Sequence, residues 1–284
     1  MNFLPPDYDL EKALKRCAPP YRHPDFDTHA HYLEFVCKSS MNIVLKCGLN
    51  LRKKITLDKK VKQKVKLLEL TVDNLKIEKE NIDKYPEYSV VCVSWIPVKS
   101  YYLFFNLLII LEYLITGSDS YLAVSHANSN KYFKTLLIKK HLTFDKGLFN
   151  KTCTVREATE WKIPPGENVK KRKFDPKLRY KSVIRKLLDY HKEEFRRIKK
   201  TERIAGTKKQ EFERTTLINL CDFFHLYRIK ANYRDMEFID KGVDVQEFNN
   251  FYNNYYQLTM NFYHAFKKCI NEVSTIRTSK LLLK

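Results

Sequence analysis

The stretch that most constrains this chain is Tyr101 to Leu111, a strongly apolar run broken only by Asn106 and bracketed by Lys99 and Glu112. It falls well short of the roughly 20 apolar residues that cross a bilayer. A helix that is apolar on every side is instead buried. Pro97 suits a first helical turn and Gly117 a stop, so a buried helix is expected from Pro97 to about Thr116. Only 6 glycines occur in 284 residues. That disfavours β-rich, turn-dense folds and Gly-rich phosphate loops, and a mainly α fold is expected.

Helical spacing recurs on both sides of this stretch. Residues 1–23 hold 4 prolines and read as an irregular lead-in. Asp25 can cap a helix to about Gly48, with Ala30, Leu33, Cys37, Met41, Val44 and Leu45 inward. A second helix starts near Asp58. Val61, Val65, Leu68, Val72, Leu75 and Ile82 form its near-heptad seam, short enough that a hairpin packed on the core is expected. Tyr85-Pro86 ends it. The apolar run Val90 to Trp95 fits a strand or an extended lead-in equally well. Another helix is expected from about His126 to His141. From Thr143 to Phe174 no period holds, and Pro164, Pro165 and Gly166 mark a long connection. Asp175-Pro176 opens a helix striped by Tyr180, Ile184, Leu187, Leu188, His191, Phe195 and Ile198. Two more helices follow over about 208–230 and 244–272, and the end reads as frayed. The expected parts are an N-terminal helical extension over 1–85, a helical domain over 86–275 with an insertion at about 143–205, and a tail over 276–284.

The formal net charge of +20 points to a polyanionic partner, nucleic acid before membrane, although a Lys-rich coding bias gives a similar balance. Clustering is therefore what matters. From Lys170 to Lys209 there are 17 basic residues against 5 acidic ones. Lys170, Lys171, Arg172, Lys173, Arg179, Arg185, Arg196 and Arg197 are the candidate nucleic-acid contacts, the alternative being a solvated face. Seven scattered cysteines without a C-x-x-C pair read as reduced thiols of a cytoplasmic protein. No signal peptide is expected at the N-terminus.

Standard catalytic motifs are missing: there is no P-loop, G-x-G-x-x-G, G-x-S-x-G or H-E-x-x-H. His23, His29 and His31 lie close together without a further ligand at zinc spacing, so no metal site and no cofactor are expected. Attention falls on Tyr227 to Asp235. Leu217, Cys221, Phe224 and Arg228 recur at helical spacing, and Arg228, Asn232 and Asp235 share one helical face. A guanidinium in line with an apolar stripe needs a partner or a task. It is either the mate of Asp235 or a cation aimed at a phosphate. His126, after Ser125 at a helix start, is the accompanying candidate.

Three segments together resemble one family. Trp95 to Asn106 looks like the Tyr-Tyr helix of HEPN domains, and Leu122 to His126 looks like the Ser-His that opens their next helix. Arg228, Ala231, Asn232 and Tyr233 match the Arg-x-x-Ala-(Asp/Asn)-Tyr signature of one branch. The resemblance covers about 90–272. It implies a HEPN-like antiparallel helical bundle, usually a homodimer, often a metal-independent endoribonuclease of prokaryotic defence or toxin–antitoxin systems. An antitoxin or defence-complex subunit is then an expected protein partner, RNA the expected ligand, and a membrane is not expected. The family's Arg-x4–6-His places here hold Tyr233, Arg234 and Asp235, with no His. The expected catalytic set is therefore Arg228, Asn232, Tyr233, Asp235 and His126, with the general base drawn from His126, His225, His264 or Tyr233. The alternatives are a noncatalytic HEPN scaffold for a protein or nucleotide partner and, further off, a DNA-binding helical protein.

Overall fold

The computed structural model describes residues 24–118, 126–161, 176–201, 206–233 and 244–283. In chain order the elements are α1 (Pro24–Ser39), β1 (Leu45–Cys47), α2 (Lys59–Lys84), α3 (Tyr88–Cys92), α4 (Ile96–Thr116), α5 (His126–Ile138), β2 (Leu142–Phe144), α6 (Gly147–Asn150), β3 (Thr152–Thr154), α7 (Val155–Glu160), α8 (Pro176–Thr201), α9 (Gly206–Thr215), β4 (Leu217–Asn219), α10 (Asp222–Tyr233) and α11 (Val245–Thr278). The fold is mainly α-helical. β1 pairs antiparallel with β2, Leu45 opposite Phe144, and β3 pairs antiparallel with β4, Cys153 opposite Ile218.

Helix α4 is the core of the fold. It packs against α11, α10, α2 and α5, and its side chains are buried on nearly every face. It is long and apolar enough to cross a membrane, yet 83% of its most apolar window is buried inside the chain. Gly117 ends it at φ 70, donating to the Tyr113 carbonyl at 2.7 Å. A Cβ there would sit 2.8 Å from an Arg277 nitrogen, so both backbone conformation and space require glycine. Arg277 is 5% exposed; its Nε donates to the Leu114 carbonyl at 2.9 Å and its Nη1 to the Lys53 carbonyl at 2.6 Å. The first bond caps the end of α4, and the second ties it to the segment before α2.

Helix α2 forms as its seam predicts. Asp58 caps it, accepting from the Lys60 amide at 2.6 Å, and Val61, Val65, Leu68, Val72, Leu75 and Ile82 are buried. Glu78 joins that seam and pairs with Lys99 of α4, while the Tyr252 hydroxyl donates to it at 3.2 Å. Helix α1 is tied in by His29, which is 2% exposed, stacks on Tyr227 and lies 2.5 Å from the Tyr255 hydroxyl. The buried hydrophobic cluster runs without a break from Phe26 to Leu283.

Several boundaries differ from the periodicity reading. The first helix stops at Ser39, not Gly48. The Ser40 hydroxyl donates to the Cys37 carbonyl, Asn42 takes φ 54, and the chain turns into β1, leaving Met41 exposed. Val90 to Trp95 is neither strand nor extended: α3 and a turn occupy it. The unpatterned segment after Thr143 contains β2, α6, β3 and α7 as far as Trp161; residues 162–175 lie outside the described ones. The helix expected over 208–230 is split by β4, so Leu217 belongs to a strand. Buried Asn219 makes the break. Its amide donates to the Phe149 and Lys151 carbonyls at 2.8 and 2.9 Å, and its Oδ1 accepts from the Cys221 amide. The expected frayed end is ordered: α11 runs to Thr278, and Leu283 is buried against the core.

One acid sits inside this core. Glu112 of α4 is 2% exposed and accepts from the Ser129 hydroxyl at 3.1 Å. Burial pushes its carboxyl up to about 8. Between about 4.5 and 8 the folded chain holds a proton that the unfolded chain has released, so stability falls as pH rises through that window. Glu112→Gln keeps the shape without the titration. Its melting temperature relative to the parent is expected to be higher at pH 8 than at pH 5. An equal difference at both pH values would contradict this assignment.

Candidate functional site

The site is built outward from the start of α10. Asp222 and Lys134 are 5% and 6% exposed. The Lys134 ammonium donates to both Asp222 oxygens, at 2.7 and 2.9 Å, and to the Leu217 carbonyl at 2.7 Å. The Asn219 backbone N–H donates to Asp222 Oδ2 at 2.9 Å. Burial alone would raise the Asp222 carboxyl. The Lys134 charge and His191, whose Nε2 is 3.8 Å away, outweigh it and hold the carboxyl well below the usual carboxylate range. This lock joins the first turn of α10 to α5.

From that anchor the helical period carries His225 and Arg228 along one face of α10. The Arg228 guanidinium lies 5.0 Å from the centroid of the Tyr101 ring and 5.5 Å from that of Tyr102, within cation–π range. Tyr101 is fully buried, and its hydroxyl is 2.5 Å from His126 Nδ1. The His126 ring packs 4.0 Å from Phe105, and the His225 ring is 5.3 Å from Tyr101. Three helices therefore meet here: α4 brings a tyrosine platform, α5 an imidazole at its first residue, and α10 a guanidinium and a second imidazole.

The electrostatics follow from the burial. Desolvation, with the Arg228 charge beside it, holds His126 below the ordinary imidazole value. Burial lowers His225 to about 4; Asp222 pulls the other way, and Arg228 reinforces the drop. Burial pushes the Tyr101 hydroxyl up, against the pull of Arg228. Near neutral pH the cluster is one guanidinium, two uncharged imidazoles and a protonated phenol. Such a set can receive a phosphate and move a proton.

The structure brings Arg228 and His126 together around Tyr101, which helical spacing alone does not reveal. Asn232 and Tyr233 lie on the backbone of α10, their side chains outside the described residues, as is Asp235 entirely. His264 is exposed on α11 and stands apart, beside Tyr263. Among the basic candidates, α8 carries Arg179 and Arg185, partly buried, and Arg196, exposed. The Arg197 side chain and Lys170, Lys171, Arg172 and Lys173 lie outside the described residues. Among the described residues no group of three or more His, Cys, Asp or Glu is placed to hold a metal ion. Two contributors had no warning in the residue pattern. Lys134 is one lysine among many, and Asp222 sits where the periodicity reading ran a continuous helix.

Breaking a buried ion pair costs about 3–5 kcal/mol, because the surviving charge stays desolvated. Lys134→Met is therefore expected to lower unfolding stability by that order in a urea titration. The exposed neighbour Lys131→Met should stay within about 0.5 kcal/mol of the parent. Equal effects would contradict the lock. Comparison of the chain with protein-family models, with curated proteins and with solved structures returned no match.

Proposed function

We propose that this is a HEPN-like, RNA-binding protein that cleaves RNA without a metal ion, in a prokaryotic defence or toxin–antitoxin setting. The observation that carries the reading is the juxtaposition of Arg228 with His126 across the Tyr101 ring. Cleavage by the neighbouring 2′-hydroxyl needs a base for that hydroxyl and a cation for the pentacoordinate phosphate. In the tautomer that carries its proton on Nδ1, facing the Tyr101 oxygen, an uncharged His126 takes the 2′ proton at Nε2. Arg228 meets the charge that grows on the phosphate oxygens. The 2′ oxygen bonds to phosphorus, the bond to the 5′ oxygen breaks, and that oxygen takes a proton from water. The exposed and half-buried arginines of α8 would carry the flanking phosphates.

A homodimer and a protein partner enter through the family resemblance alone. Most apolar side chains of α4 and α11 are buried within the chain, which leaves those two helices little apolar surface for a dimer to cover. One observation favours the noncatalytic reading instead: Arg228 stacked over two tyrosines is also a stabilising contact.

The two readings part in one experiment. Single-stranded RNA is incubated with the protein in EDTA, alongside thermal melts of each variant. Arg228→Ala is expected to slow cleavage roughly a hundredfold or more with little change in melting temperature, as when a preorganised charge stabiliser is removed. His126→Ala should lose a similar factor, on the order of a hundredfold. No cleavage by the parent, with a large fall in melting temperature for Arg228→Ala, leaves only the noncatalytic module. Binding is tested separately. RNA affinity should fall with salt at a log–log slope of roughly −0.7 per phosphate contact, and Glu at Arg179, Arg185 and Arg196 should make that slope shallower. A salt-independent affinity would remove α8 from the interface.

A further inference from the structure

A cleft of about 360 Å³ lies between α5, α8, α9 and α10 and shares His225 with the Arg228 cluster. That volume is within the roughly 300–1,000 Å³ of small-molecule sites. Its charges are internally cancelled: Lys134 is bound to Asp222, and Lys131 and Glu194 add one of each sign. One wall is aromatic. Phe195 of α8 and Phe212 of α9 stack with centroids 4.3 Å apart and planes 17° from parallel. Asn128 and Asn130 of α5 line the cleft with amide groups. His225 Nδ1 is buried and has no hydrogen-bond partner among the described residues.

The chemistry of a fitting ligand follows. A phosphate needs net positive charge, and the deepest cation here is already neutralised. An aliphatic ligand would leave the amides and the imidazole desolvated and unpaired, which is costly. A flat, uncharged ring with donors and acceptors along its edge satisfies both the aromatic wall and the polar groups.

We propose that the cleft is a nucleobase pocket, with the base stacked on Phe212 and its edge read by Asn128, Asn130 and His225. The assignment rests on the RNA reading above and deepens it by supplying base selectivity. Arg228 follows His225 by three residues, a rise of about 4.5 Å along the helix. A base seated here leaves its own phosphate on the side of the guanidinium. The pocket recognises one unstacked nucleotide, so it takes single-stranded RNA and not a duplex.

The test uses adenosine, guanosine, cytidine and uridine, which carry no phosphate, titrated into the full chain and followed by saturation-transfer NMR. At least one nucleoside is expected to bind. Phe212→Ala should weaken it about fivefold to a hundredfold, the range for losing one stacking partner. Asn128→Ala, at an exposed position, guards against misfolding of the first variant and should change the preference among the four nucleosides. No binding by any nucleoside, an unchanged Kd in both pocket variants, or displacement by inorganic phosphate would overturn the pocket. The cleavage reading is judged apart from it. Arg228-dependent cleavage by a chain that binds no nucleoside removes only the pocket. Nucleoside binding by a chain that cleaves nothing upholds the pocket and removes only the cleavage.

Discussion

Burying α4 on nearly every side is the constraint on which the rest of the structure depends. A helix with no polar face gains from each neighbour that covers it, so α2, α5, α10 and α11 all settle against it. Burial also obliges most of its few polar side chains to find partners. Ser100 accepts from Thr259 at 2.7 Å, Tyr113 donates to the Thr56 carbonyl and accepts from the Asp58 amide, and Glu112 accepts from Ser129. These four bonds join α4 to three different segments. The polar exceptions on an apolar helix thus fix how its neighbours are placed.

The candidate site follows from the same constraint. Tyr101 is buried because α4 is buried, and its hydroxyl must be satisfied; His126 at the start of α5 does so. A ring in that position presents its face to α10, where Arg228 rests. The Lys134–Asp222 lock sets the register of α10, so that His225 and Arg228 arrive on the face that looks at α4. Desolvation then does the chemical tuning. The same burial that stabilises the helices holds His126 and His225 uncharged beside a permanent cation.

Much of the helical framework was legible in the residues. Strong periodicity located α2 and α11, and Pro97 with Gly117 bounded α4 within a residue or two. Two of the misplaced boundaries share one physical reason: side chains that compete for backbone hydrogen bonds. Ser40 ends a helix that the apolar pattern alone would extend, Asn219 holds the break between α9 and α10, and the strands β1 and β4 are too short for an alternation to show. In the site, Arg228 and His126 stood out because a cation on an apolar stripe and a histidine at a helix start are unusual. The contact between them runs through Tyr101, whose role depends on α4, α5 and α10 meeting, a tertiary fact with no local pattern. Lys134 and Asp222 were invisible for the same reason.

The central claim is that Arg228 and His126 act on an RNA phosphate attacked by its own 2′-hydroxyl. The most direct measurement compares an RNA cleaved by the parent protein with the same RNA carrying a single 2′-deoxy sugar at the cleaved position, in EDTA. The account predicts a 2′,3′-cyclic phosphate on the product of the first and no cleavage of the second at that position. Cleavage of the 2′-deoxy substrate at an unchanged rate, or a 5′-phosphate on the downstream product, would contradict it.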